Sequence, residues 1–200
     1  MQKATTNNAS EGWNPQEAKM SFFSRPITNK RPAGVVTLFE VYQMTITPRY
    51  RAETKALRAI MDKEEQRAFK CRNLDYVTPS GLFSHCSDNA LCTHSGMLCM
   101  DLDELDDRVG EVRGWLLADP QFETLLLFRS PRGNGLKWFV AIDLGRCDHR
   151  TWFAAIRNYL MATYGLTERQ VDGQCCNPSR ACYLCHDPEA YLKTSLIEHF

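Results

Sequence analysis

Long apolar runs are missing from this sequence. No stretch reaches the roughly 18 apolar residues that a membrane-spanning helix needs, and residues 1–20 are polar, without the apolar core and cleavage site of a signal peptide. A net charge is missing too, because 24 Lys and Arg residues balance 24 Asp and Glu residues, so no overall field draws the chain to nucleic acid. These absences predict a cytoplasmic protein with no membrane partner, in which any nucleic-acid site is a local patch.

The nine cysteines form an odd count, and several stand inside apolar runs, where cysteine behaves as a small hydrophobe. This usage fits free thiols in a reducing compartment. One C-terminal group contains a C-x2-C step and is a candidate zinc site, formed by Cys175, Cys182, Cys185 and His186. The spacing of these ligands is irregular, so the sequence does not favour zinc.

The chain divides into an arm and one domain. Residues 1–19 are rich in Asn, Thr, Ser and Gln and have no hydrophobic periodicity, which predicts a flexible N-terminal arm. Residues 20–200 are long enough to bury a sizeable core. A helical pattern over 189–200 runs to the last residue, so we expect the domain to be cut from a longer protein.

Hydrophobic periodicity predicts the local structure of both halves. Residues 35–42 are β-branched and aromatic enough for a strand, with a short helix as the alternative, and residues 52–70 have the spacing of a helix. Further along, residues 124–142 read as a hairpin around a glycine-rich turn, and a helix is expected from Asp148 to Gly165. This order predicts an α+β fold, an antiparallel sheet with helices on one face.

Asp101 and Asp103 end the apolar run that follows His94. Side chains alternate between the two faces of a strand, so both carboxylates would lie on one side and reach one cation. Two like charges this close resist ionising unless a cation or basic group neutralises them. Oxygen ligands favour Mg2+ or Mn2+. The competing interpretation is a helix cap, because a helix is expected near Glu104 and Asp is a common N-cap.

The glycine-rich turn carries the second candidate group. Gly133 and Gly135 would let backbone N–H groups approach a phosphate closely. Ser130, Arg132 and Lys137 add a hydroxyl and two cations. Lys137 alternates with the core-facing residues of its strand and should therefore point to the opposite face. The alternative is a hairpin that needs glycine for its turn and a lysine that reaches out to solvent.

An acid and an arginine form the third candidate group. Asp172 would supply a further carboxylate near the metal, and Arg180 would clamp a phosphate. The two could equally form a salt bridge with each other. Asp143 lies on the Lys137 face of the hairpin strand and is the alternative third acid.

The order of these groups resembles a known superfamily. Asp101-x-Asp103, then the segment from Ser130 to Lys137, then Asp172 with Ser179-Arg180, is similar to the three motifs of archaeo-eukaryotic-type primases, the primase-polymerase superfamily. Four segments more closely resemble the N-terminal domain of virulence-associated-E (VirE) type proteins of Bacteroides mobile elements: Ser21–Ile27, Thr78–Phe83, His94–Gly96 and Ser179–Pro188. The resemblance covers about residues 20–195.

This resemblance implies an RRM-like palm with an added N-terminal α/β portion. Two metal ions held by Asp101, Asp103 and Asp172 would activate a hydroxyl and stabilise the leaving pyrophosphate. Lys137, Arg180 and the turn would bind the triphosphate. The implied partners are nucleoside triphosphates, a single-stranded DNA template and a C-terminal helicase-like region.

The leading hypothesis is therefore a metal-dependent, primase-type nucleotidyltransferase that acts on a DNA template in replication of a mobile element. Many superfamily members have histidine where this chain has Lys137, and lysine contacts phosphate without offering acid–base chemistry. The alternative is a catalytically degenerate module of the same fold that binds DNA or docks a helicase. A third hypothesis, a nucleotide-sugar glycosyltransferase with an Asp-x-Asp motif, lacks a preceding nucleotide-binding α/β unit.

Overall fold

The computed structural model describes residues 13–197. The α-helices are α1 (Leu38–Ile46), α2 (Arg51–Ala59), α3 (Lys63–Asn73), α4 (Val109–Leu117) and α5 (His149–Tyr164). The strands are β1 (Lys19–Phe23), β2 (Gly34–Thr37), β3 (Tyr76–Thr78), β4 (Gly81–Phe83), β5 (Leu91–His94), β6 (Met97–Leu102), β7 (Thr124–Arg129), β8 (Leu136–Ala141), β9 (Cys182–Tyr183) and β10 (Tyr191–Leu192). This mixture confirms the α+β class. Within these residues, no helix is long and apolar enough to cross a membrane.

The first sheet has the strand order β2-β1-β3-β9, and its paired strands are antiparallel. A separate hairpin of β4 and β5 joins this sheet at β1, where the Phe83 N–H donates to the Ser21 hydroxyl at 2.9 Å. Strand β9 comes from the far C-terminal part of the chain. The two ends of the domain are therefore tied together in one sheet.

The second sheet has the order β10-β7-β8-β6 and is also antiparallel. Its elements β6, α4, β7, β8 and α5 follow one another in the order of an RRM-like β-α-β-β-α-β fold. After α5 the chain returns to the free edge of β6, where Val171 forms a single antiparallel bridge with Leu102. The last strand of that fold is thus reduced to one bridge, and β10 is an added edge strand beside β7.

Alternation along β6 and β8 separates two cores. Met100 and Trp138 belong to a core that is closed by the apolar faces of α4 and α5, with Val112, Leu116, Ile156 and Leu160. Met97 and Phe139 point the other way and pack with residues of the first sheet, such as Met20 and Val77. Helices α4 and α5 therefore cover one face of the second sheet, as predicted, whereas the first sheet and α1 cover the other.

Helix α5 has the ends that the sequence predicts. The Asp148 carboxylate accepts the Thr151 N–H at 2.7 Å, and Gly165 ends the helix with a φ of 62° in the left-handed region. This cap makes His149 the first residue of the helix.

Two local predictions need correction. Residues 35–42 are a strand only as far as Thr37, because Thr37 and Glu40 form a capping box that starts α1. The single helix expected over 52–70 is two helices, because the chain breaks after α2 and Asp62 caps α3 by accepting the Glu65 N–H at 2.8 Å.

The two ends of the chain also depart from the sequence pattern. Within 189–200, Tyr191 and Leu192 form a strand rather than a helix because they pair with the edge of β7, and residues 198–200 lie outside the described residues. Of the arm expected over 1–19, residues 1–12 lie outside the described residues as well. Trp13 is anchored, since its indole N–H donates to the Ser95 carbonyl at 2.9 Å.

Candidate functional site

A narrow cleft with a cavity volume of about 20 Å3 lies between the two sheets. The polar and titratable residues that line it belong to β6, β8, the start of α5 and the segment between α5 and β9. They are Asp101, Lys137, His149, Cys175, Asn177 and Arg180. The cleft therefore brings one residue of each of three predicted groups together, namely Asp101, Lys137 and Arg180.

Asp101 and Lys137 form a buried ion pair at the centre of the cleft. They are direct cross-strand partners on β6 and β8, and their side chains are only 14% and 8% exposed. Burial raises the pKa of Asp101, but attraction by Lys137, Lys70 and Arg180 outweighs burial and lowers the pKa below its usual value. Burial likewise lowers the pKa of Lys137, and attraction by Asp101 more than reverses this effect, so both groups are charged.

The two oxygens of the Asp101 carboxylate differ in their contacts. Asp101 Oδ1 is buried and has no hydrogen-bond partner among residues 13–197, while Oδ2 contacts Lys137. A buried carboxylate oxygen without a partner is costly unless something binds it. The helix-cap interpretation of Asp101 and Asp103 is wrong, because α4 is entered through a short 3-10 turn at Asp106–Arg108 and no aspartate side chain caps it.

Cations outnumber acids around Asp101. Lys70, in the last turn of α3, lies with its Nζ 5.1 Å from the centre of the Tyr183 ring. Burial lowers the pKa of Lys70, and repulsion by Lys137 lowers it further, which places the two lysines in the same electrostatic environment. Together with Arg180 they attract the Asp101 carboxylate and lower its pKa. This excess of positive charge suits an anion that carries several charges.

Asp103 lies beside the cleft rather than in its lining. Its carboxylate forms an ion pair with Arg132 at 3.2 Å, and its backbone N–H donates to the Gln170 carbonyl at 3.0 Å. Asp103 also contributes to the raised pKa of Lys137, so it acts on the same lysine as Asp101.

The glycine-rich turn is packed against protein rather than open. A Cβ on Gly135 would stand 2.1 Å from the Leu102 carbonyl oxygen, so this glycine is required by the close approach of β6. Arg58 of α2 donates to the carbonyls of Pro131 and Ser130 at 3.2 and 3.3 Å. For Gly135 the hairpin interpretation is therefore the better one. The Ser130 hydroxyl is buried without a hydrogen-bond partner among the described residues.

The two candidates for a third acid lie in different places. Asp172 borders an outer hollow with Asp103 and Arg132, and the Cys175 thiol lies 3.9 Å from its Oδ2. Asp143 lies two residues beyond Ala141, the residue of β8 that pairs with Met97, and is therefore more than four register positions from Asp101, or more than about 13 Å at strand spacing. Its carboxylate accepts the Gly145 N–H at 2.9 Å.

A comparison with protein-family models identifies the family of this chain. The model described as the BT4734-like, N-terminal domain matches residues 70–192, more than half of the sequence. The chain belongs to this family. The family is named after a Bacteroides protein, which agrees with the resemblance to Bacteroides proteins found in the sequence. Neither a curated protein nor a solved structure matches the chain.

The matched part of this BT4734-like domain runs from the last turn of α3 to β10. It contains Lys70, Asp101, Lys137 and Arg180, and so it holds the ion pair and the two further cations that lower the pKa of Asp101. The added strands β1 and β2 and helices α1 and α2 precede the match and form one wall of the domain.

The acids of the cleft fit one Mg2+ or Mn2+ ion only together with a bound phosphate. Among residues 13–197, no three His, Cys, Asp or Glu side chains are grouped to hold a metal ion. Mg2+, however, is commonly held by one or two carboxylates and completed by substrate phosphates. Asp101, with its unpartnered Oδ1, provides one such carboxylate, and Asp103, beside the cleft, is the nearest candidate in sequence for a second.

The residues of the possible zinc site do not come together. Cys175 packs in the core under the helices, whereas Cys182 and Cys185 pack in the core between the sheets. The Cys185 thiol donates to the Arg129 carbonyl at 3.1 Å, and His186 Nδ1 lies 3.3 Å from the Thr45 carbonyl. Among residues 13–197 these four side chains are not grouped to hold a metal ion, although Cys175 and Cys182 both line the cleft.

Sequence reasoning missed two residues at the cleft. Lys70 stands in a polar helix, and no local pattern distinguishes it from the neighbouring lysines and arginines. His149 follows the Asp148 cap, and that cap is a signal that fixes where the helix begins. Nothing in the sequence indicates that this helix end meets Asp101 and Lys137.

Proposed function

We propose that this BT4734-like domain binds a nucleoside triphosphate in the cleft and transfers the nucleotide to a DNA-templated strand, as a primase-polymerase-type nucleotidyltransferase. The observation that carries the proposal is the Asp101 carboxylate, which is buried, ionised and paired with Lys137, yet has an oxygen without a hydrogen-bond partner among residues 13–197 and is attracted by two further cations. An arrangement with both a free carboxylate oxygen and excess positive charge suits a metal-bound polyphosphate better than either ion alone.

The roles of the residues follow from their charges and positions. Lys137 and Lys70 attract the phosphates as compact charges, and the planar guanidinium of Arg180 can hold two phosphate oxygens. Asp101 and Asp103 would hold the metal ion. When bound, that ion supplies charge neutralisation at the leaving pyrophosphate and activates the attacking hydroxyl. Phosphoryl transfer depends mainly on such positioning and electrostatic stabilisation.

The direct test is synthesis of short products from nucleoside triphosphates on a single-stranded DNA template with Mn2+ or Mg2+. The double variant Asp101→Asn with Asp103→Asn should lose the products. The matched control is Asp106→Asn with Asp107→Asn, which changes two exposed aspartates of the adjoining 3-10 turn and should retain them. Products of undiminished yield from the first double variant would overturn the assignment.

A second function is favoured by the same ion pair. Lys137 already neutralises Asp101, and no cluster of three acidic ligands exists among the described residues, so the cleft can bind an anion without a metal ion. A catalytically degenerate module would bind the triphosphate or DNA equally well with chelator and with Mg2+. Calorimetric titration of a nucleoside triphosphate under both conditions separates the functions, because the nucleotidyltransferase requires tighter binding with the metal ion.

A further inference from the structure

Two histidines contact each other on one wall of the cleft. His94 Nε2 and His149 Nδ1 lie 3.1 Å apart, and their ring centres are separated by 5.2 Å. His149 is 7% exposed and lines the cleft together with Lys137 and Arg180. A buried imidazole therefore faces the same space as the cations.

The neighbouring backbone decides which ring nitrogens carry protons. The Gly96 N–H donates to His94 Nδ1 at 3.0 Å, so this nitrogen is an acceptor and the neutral His94 ring carries its proton on Nε2. His94 Nε2–H then donates to His149 Nδ1, which leaves the His149 proton on Nε2. The hydrogen bonds of residues 13–197 leave His149 Nε2 without a protein acceptor. This N–H is the one remaining donor of the pair.

Both rings are neutral at pH 7, because burial lowers the pKa of each from 6.5 to about 4. For His149, repulsion by His94 and Arg150 acts in the same direction as burial, and attraction by Asp88 and Asp148 does not compensate for it. The donor is thus a directed, uncharged N–H in the cleft that also holds Lys137 and Arg180.

We propose that His149 Nε2–H donates a hydrogen bond to a phosphate oxygen of the nucleotide in this cleft, and that His94 is a positioning residue that fixes this donor. The inference rests on the proposed function, because it assumes that the cleft receives a triphosphate. Lys137 attracts phosphate as a point charge, whereas a ring held by a second ring selects one oxygen and one orientation.

The affinity test compares dATP binding by calorimetry, with Mg2+, in four proteins. His149→Phe removes the donor and should weaken binding about tenfold or more, since a hydrogen bond to a charged group is lost. His149→Gln keeps an N–H near the position of Nε2 and should recover part of the affinity. His85→Phe, at an exposed histidine outside the cleft, should bind as the wild type does.

The positioning role of His94 has its own readout. Long-range 1H–15N correlation spectra of protein with 15N-labelled histidine should show both rings as Nε2–H tautomers without ligand. His94→Leu should release the His149 ring from this tautomer and lower dATP affinity, and His94→Gln, which can still donate to His149 Nδ1, should restore both. Intrinsic tryptophan fluorescence confirms that each variant is folded.

The outcomes separate this inference from the proposed function. If wild type binds dATP and Lys137→Met weakens binding, but His149→Phe does not, the triphosphate cleft stands and the role of His149 is refuted. An Nδ1–H tautomer of His149 in the folded wild-type protein refutes it as well, whatever the affinity. If wild-type protein binds no dATP, the proposed function fails and this inference fails with it.

Discussion

Removal of either member of the Asp101–Lys137 pair should destabilise the fold, and the two losses should differ. In Asp101→Asn, the Lys137 ammonium stays buried beside Lys70 with its main counterion gone. In Lys137→Met, the Asp101 carboxylate stays buried but keeps the attraction of Lys70 and Arg180. The buried charge that remains is therefore much less well compensated in Asp101→Asn than in Lys137→Met.

The magnitudes follow from burial. Leaving one charge of a buried ion pair uncompensated costs about 3–5 kcal/mol in the free energy of unfolding, and we expect Asp101→Asn to fall in that range because the pair is only 14% and 8% exposed. Loss of a charge-assisted hydrogen bond while other cations remain costs about 2 kcal/mol, which is the expectation for Lys137→Met. The double variant should cost less than the sum of the two by about 2 kcal/mol.

Equilibrium unfolding in urea at pH 7, followed by tryptophan fluorescence, measures these free energies. Lys63→Met is the matched control, because Lys63 forms an exposed ion pair with Glu104, with side chains 75% and 39% exposed. Its cost should stay below about 1 kcal/mol. The reasoning is refuted if Lys137→Met is the more destabilising variant, or if Asp101→Asn costs no more than the Lys63 control.

Two further predictions concern stability. His94 and His149 have pKa values lowered to about 4, so between pH 6.5 and 4 the unfolded chain binds protons that the folded chain does not. Stability should therefore fall as the pH drops through this range, by at most about 3 kcal/mol for each histidine, and urea midpoints of a His94→Gln/His149→Gln variant should fall less steeply than those of wild type. This prediction is wrong if the urea midpoints of the variant and of wild type fall equally steeply as the pH drops. Separately, Gly135→Ala should cost about 3 kcal/mol or more, because the new Cβ would stand 2.1 Å from a backbone carbonyl that cannot move aside. Gly110→Ala in α4, where no atom lies within 4 Å of the added Cβ, should instead stabilise the helix by about 1 kcal/mol in the same unfolding assay.

Local patterns determined much of the second sheet. The alternation of β6 and β8 placed Asp101 and Lys137 on the face opposite to Met100 and Trp138, and the structure confirms this arrangement. The signal works because side chains of a strand alternate strictly, whatever its neighbours are. The start of α1 was also readable, since Thr37-Leu-Phe-Glu40 is a capping-box sequence, although the aromatic and β-branched residues around it favoured a strand.

Residue patterns were enough to predict the α+β class, the hairpin, the ends of α5 and the sides on which Asp101 and Lys137 lie. The direct pairing of these two residues, the approach of His149, the influence of Lys70 and the distance to Asp143 all depend on how the elements pack together. Periodicity and caps depend on residues a few positions apart, whereas the cleft is built from β6, β8, the start of α5 and the segment between α5 and β9. Which of these elements meet depends on the lateral order of the strands and on the packing of two sheets, and no local pattern specifies that order.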